Sequence, residues 1–97
     1  MIMSMTLLDR TKIALAVVDE AFDVEISDLI NAAKLDLGLA GVTLPQTLDA
    51  LCERAIITYV KFHFAALTDG EYDRVKASYD EQKAQLMIAT GYTTWEA

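Results

Sequence analysis

The chain has 97 residues, 54% of them hydrophobic, with 4 Gly, 1 Pro and a formal net charge of −7. That length allows one domain with a single core, and the scarcity of Gly and Pro favours helix and argues against disorder. The acidity excludes a sequence-tolerant grip on nucleic acid, which needs clustered Lys and Arg on the phosphates, but not a surface past which nucleic acid moves without sticking.

Residues 1–5 read as a loose lead-in, without the basic region and sustained apolar run of a signal peptide. No apolar run approaches the roughly 18 residues of a membrane span. The expectation is a soluble, intracellular product forming one helical domain over residues 1–97. Thr6, with Asp9 three residues on, is an acidic variant of the capping box and opens a short helix to about Val17. Residues 19–23 read as a turn, and residues 19–28 hold five acids and no base.

Asp23 is expected to cap a second helix, with Glu25 near the positive end of its dipole. Ile26, Leu29, Ile30, Ala33 and Leu37 recur at helical spacing and form one apolar face. Gly38 is the expected stop. The loop that follows carries Pro45 and two apolar residues, Val42 and Leu44, either tucked into the subunit's own core or offered to a neighbour.

A central helix is predicted over 47–67, roughly 30 Å long at 1.5 Å per residue. Leu48, Leu51, Cys52, Ala55, Tyr59 and Phe62 share one face, with Ile56, Val60 and Leu67 beside it. Ile57 and Phe64 carry the apolar surface almost to the far side, leaving a strip around Arg54, Thr58 and Lys61 for water. A surface helix needs an apolar stripe of about 100°, and this one covers roughly twice that. Its neighbours in the chain are expected to cover one side and a second copy the other, rather than one four-helix bundle enclosing it all.

Thr68 and Glu71 have capping-box spacing, so a fourth helix starts at once and pairs antiparallel with the third. Tyr72, Val75, Tyr79, Gln82 and Leu86 line one face of it. Glu71–Arg74, Asp73–Lys76 and Asp80–Lys83 are expected to pair at i,i+3 on the outside, and Gly91 to end the helix. Residues 91–97 form a tail in which Tyr92 and Trp95 either fold back on the core or anchor a partner. The predicted fold is all-α: about four helices, with a long central helix and a C-terminal helical hairpin.

Catalytic chemistry finds no footing in the sequence. His63 lies in the apolar arc of the central helix and reads as a core or interface residue. Cys52 sits eleven residues away, roughly 16 Å along a helix axis, which rules out a shared metal site or a nucleophile pair. The acids of residues 19–28 lack the alternation and central glycine of a calcium loop and read as a solvated helix start. Gly38 and Gly41 are not followed by the Lys and Ser/Thr of a phosphate loop. No catalytic residue, cofactor or metal is predicted.

The order of elements carries a resemblance. A short lead helix with Thr11, Lys12 and Leu15 precedes a turn, and the helix with Asp23, Leu29, Ile30 and Ala33 follows. A Gly/Pro loop then leads to the apolar helix with Tyr59, Phe62 and Phe64, and an amphipathic helix closes the chain. This pattern, over most of residues 6–90, resembles the small helical head–tail connector (adaptor) proteins of long-tailed bacteriophages. The resemblance implies a non-enzymatic virion protein, assembled in the host cytoplasm as a ring of about twelve subunits at the head–tail junction. Such a ring binds the portal on one side and a stopper or tail-completion protein on the other, and packaged DNA passes through its lumen. By position, Tyr92 and Trp95 are then the portal-binding candidates. Ile57, Phe64, Val60, Val42 and Leu44 are the subunit-interface candidates. The other reading is a small helical protein-binding module or dimeric regulator.

Overall fold

A computed structural model describes residues 6–44, 48–64 and 67–88. They form α1 (Leu7–Leu15), a 3₁₀ turn (Glu20–Phe22), α2 (Asp23–Leu39), α3 (Ala50–Phe64) and α4 (Asp69–Ile88). This is the expected all-α bundle of four helices, with no strand among the described residues. α3 is the organising element: α1, α2 and α4 all pack against it, and α1 and the 3₁₀ turn also touch α2. Ile26, Ile30, Ala33 and Leu37 of α2 meet Cys52, Ala55, Ile56, Val60 and Phe62 of α3, and Tyr79 and Leu86 of α4, in one buried cluster.

The helix starts follow side-chain chemistry visible in the sequence. Thr6 and Asp9 close the capping box of α1 reciprocally. Thr68 and Glu71 do the same for α4: the Glu71 N–H donates to Thr68 Oγ1 at 3.2 Å, and the Thr68 N–H donates to Glu71 Oε1 at 3.1 Å. The carboxylate of Asp49 accepts the Cys52 N–H at 3.0 Å and so caps α3. Thr47 and residues 65–66 lie outside the described residues, so the helix seen spans Ala50–Phe64 of the 47–67 expected.

The helix ends differ from expectation, and both for one reason. α1 stops at Leu15, because Ala16 turns left-handed at φ 58°. The Ala16 N–H then reaches the Ile13 carbonyl, and the Val17 N–H reaches that of Lys12. α2 runs through Gly38 to Leu39, with Ala40 as its cap, and the left-handed residue is Gly41 at φ +93°. There the Gly41 N–H bonds to Gly38 O and the Val42 N–H to Leu37 O. Each is a Schellman closure, in which an apolar residue just past the turn packs back on the helix. Val17 is packed against the core and Val42 is 4% exposed. Val42 is therefore what places the stop at Gly41 rather than Gly38.

The start of α2 is also corrected. Asp23 is its first residue, not its cap, because the 3₁₀ turn runs directly into the helix. Asp19 caps that turn, accepting the Ala21 N–H at 2.9 Å. Asp23 instead turns to α1 and pairs with Lys12 at 2.7 Å.

Candidate assembly surfaces

Two residues with latent chemistry lie on α3, and neither is placed to use it. Cys52 is fully buried beside the α3 cap, and burial, with the Asp49 carboxylate, pushes its thiol up to about 11. It stays a protonated thiol at neutral pH, without the nucleophilic thiolate. His63 is exposed rather than in the core, its ring 4.2 Å from that of Tyr59. It lies on the face of the buried Ile56, seven residues back, but in the last turn of α3, where that face emerges into solvent. No group of three His, Cys, Asp or Glu able to hold a metal ion occurs among the described residues.

The five residues singled out for subunit contacts separate by burial. Val60 is 0% exposed and Val42 4%, both inside the subunit's own core. Ile57, Phe64 and Leu44 are half-buried and keep part of their surface. The Phe64 ring meets that of Phe22 edge-on at 5.5 Å, so the 3₁₀ turn covers part of the far side of α3. Phe22 itself remains 41% exposed. Tyr92 and Trp95 lie outside the described residues.

Other apolar surface escaped the sequence reading. Leu51, expected on the core face, is 55% exposed. Val24, Leu35 and Leu39 stand on the outer side of α2, and Met87 and Ile88 end α4 exposed. Leu35 and Leu39 are an i,i+4 pair, so the spacing was legible. The inner face of α2 was simply the stronger signal.

Beside Leu51 a groove runs between α3 and α4. Its larger section, 420 Å³, is lined by Leu51, Arg54, Gln82 and Leu86 among others. A shallower section of 210 Å³ continues past Lys61, Arg74 and Val75, and shares Arg54, Ser78 and Gln82 with the first. Arg54, Thr58 and Lys61 recur at i, i+4 and i+7, the strip left for water in the sequence reading.

Charge is sorted around the molecule. Arg10 reaches Glu53 at 2.9 Å, Lys12 Asp23 at 2.7 Å, Lys76 Asp80 at 3.1 Å and Lys83 Asp36 at 3.3 Å. The expected Asp73–Lys76 and Asp80–Lys83 pairs are thus replaced. Lys76 takes the carboxylate one full turn on, and Lys83 crosses to α2, where Asp36 also accepts the Tyr79 hydroxyl at 2.5 Å. Arg54, Lys61 and Arg74, all in the groove, have no ion pair among the described residues.

Among known proteins, the family described as phage connector protein has a model that matches residues 7–93. No curated protein and no solved structure matches the chain.

Proposed function

The chain belongs to the phage connector protein family, and from that membership we propose that it is a ring-forming subunit that docks on the portal and joins capsid to tail. The observation that carries this reading is the family match over residues 7–93, which spans all four helices. Two physical features support it. Exposed apolar side chains remain on α2 and at the ends of α3 and α4, where a monomer would leave them in water. The net charge of −7 suits a lumen through which DNA moves, since like charge keeps the polyanion from adhering.

In this reading residues 1–97 act as one helical unit, and neither catalysis nor a cofactor has a part. Ile57, Phe64 and Leu44 offer their remaining surface to the neighbouring subunit, with Val60 and Val42 fixing their position from the core. Tyr92 and Trp95 reach the portal, and a stopper or tail-completion protein takes the opposite side. The ring closes with about twelve copies, as the resemblance to head–tail adaptors implies.

Co-purification with the portal protein of the encoding phage tests the reading. The full chain is expected to be retained, and a chain lacking residues 91–97 to be lost. Retention of the shortened chain would remove the tail from the portal contact. Failure of the full chain to bind would remove the connector role.

A further inference from the structure

We propose that the α3–α4 groove of one subunit receives the acidic shoulder around the 3₁₀ turn of a second copy, joining subunits head to tail. The inference rests on the connector reading and supplies the contact that reading lacks.

The shallower section of the groove is a cationic strip on an acidic protein, while Glu81 joins Arg54 in the lining of the larger section. Of the 8 Lys and Arg, four are held by carboxylates of the same chain. Arg54, Lys61 and Arg74 share the groove without an ion pair among the described residues. Longer-range attraction from Glu71 reaches Arg74 and Lys61. Leu51, 55% exposed, adds an apolar floor at one end.

The complement lies on the same chain. Residues 19–28 hold five acids and no base. Asp23 is occupied by Lys12, but Glu20, Glu25 and Asp28 are exposed and have no ion pair among the described residues. Between and beside them Val18 is 93% exposed, Val24 74% and Phe22 41%. Carboxylates interleaved with apolar side chains are the chemistry that a basic groove with a leucine at its end would recognise. The match in charge favours a second copy over an unrelated partner.

A subunit's shoulder cannot fill its own groove. Phe22 is held on Phe64 and Asp23 on Lys12. Thr58, in the middle of the groove strip, stands two residues from the buried Ile56, about 200° around the helix. The groove therefore opens away from the side that α3 buries, and Phe64, three residues on from Lys61, flanks its near end at about 60° around the helix, so the shoulder is anchored beside the groove and lines neither section of it. Two different, complementary patches on one molecule make a heterologous contact, which closes into a ring when the rotation per subunit allows.

Charge reversal in mixtures tests the pairing. One variant carries Arg54→Glu and Arg74→Glu, the other Glu20→Lys and Glu25→Lys, all at exposed positions. Circular dichroism and thermal melts verify that both are folded. Self-association is read by sedimentation at high concentration, in low salt and high salt, alone and with portal present. Wild type is expected to associate and to weaken with salt, since exposed charge pairs are screened. Each variant alone should associate on the order of tenfold or more weakly, because like charges then face each other. An equimolar mixture should recover by alternating the two variants, since every contact between unlike variants is native or doubly reversed.

Variants that associate like wild type would overturn the proposal, as would a mixture that does not recover. Wild type that binds portal but makes no contact between copies would overturn it too, while leaving the connector role standing. Loss of portal binding in one variant, without rescue by the other, would assign the groove to the portal instead. Wild type that neither associates nor binds portal would remove the connector reading itself.

Discussion

Tyr79 reaches from α4 to Asp36 of α2, its hydroxyl donating at 2.5 Å, while Lys83 approaches the same carboxylate oxygen at 3.3 Å. Tyr79 is 2% exposed and its ring meets those of Tyr59 and Phe62, so a polar link passes through the edge of an aromatic cluster. Burial and the neighbouring carboxylate push its phenol up, and it remains the donor. Tyr79→Phe keeps the ring but deletes the hydrogen bond, and should cost about 1–3 kcal/mol in a urea titration with unchanged slope. Burial pushes Asp36 up, but the hydrogen bonds from Tyr79 and Lys83 outweigh it and hold the carboxyl below its usual range. The unfolded chain therefore takes up this proton first. The contribution of Asp36 to stability is complete above roughly pH 4, its ordinary value, and is lost as pH falls through the lower value of the folded state. The gap in urea midpoint between wild type and Asp36→Asn should accordingly be widest near neutrality and narrow on acidification below about pH 4. An unchanged gap would show that the ionised form does not matter. None of this triad was legible in the sequence. Asp36 and Tyr79 are 43 positions apart, and spacing rules reach only one or two turns.

At the scale of elements, the sequence spoke clearly wherever a helix began with a side-chain cap. Thr6 with Asp9 and Thr68 with Glu71 needed only local chemistry, and the inner face of α2 needed only its period. Helix ends were harder, because they depend on where an apolar residue beyond the turn finds the core. Gly38 and Gly41 separate the two kinds of information. Gly38 lies within the helix, and a Cβ there would meet nothing within 4 Å, so Gly38→Ala should stabilise by about 0.5–1 kcal/mol. Gly41 also has room for a Cβ, but its φ of +93° penalises any L side chain. Gly41→Ala should therefore destabilise by about 1–2 kcal/mol. Thermal melts should move in opposite directions, by about 4–8 °C per kcal/mol for a domain of this size. The same direction for both would mean that Gly41 is not the residue that turns the chain. The reading of α3 as too apolar for its own neighbours held only in part. α1, α2 and α4 enclose Ile56 and Val60, the 3₁₀ turn partly covers Phe64, and Leu51 is left out.

The whole molecule is an acidic helical bundle whose unsatisfied surface is divided: apolar side chains on the outside of α2, a cationic groove between α3 and α4, and a carboxylate-rich shoulder before α2. No helix among the described residues is long and apolar enough to cross a membrane. Such a division suits a structural part, in keeping with membership of the phage connector family. The sequence showed the acids of the shoulder as a run. It could not show the groove, because Arg54, Lys61 and Arg74 gather only when two helices pack, and on a linear reading each looks like ordinary solvent-facing charge. Leu51→Ala separates the two scales: its exposed side chain contributes little to the fold, so the melt should shift by no more than about 0.5 kcal/mol while association weakens. The most direct test of the connector role is the intact mass of the encoding phage's portal ring, measured before and after addition of this chain. The account predicts a complex heavier by a fixed, whole number of chains, about one for each portal subunit. A portal mass that stays the same, with the folded chain free in the same sample, would contradict it.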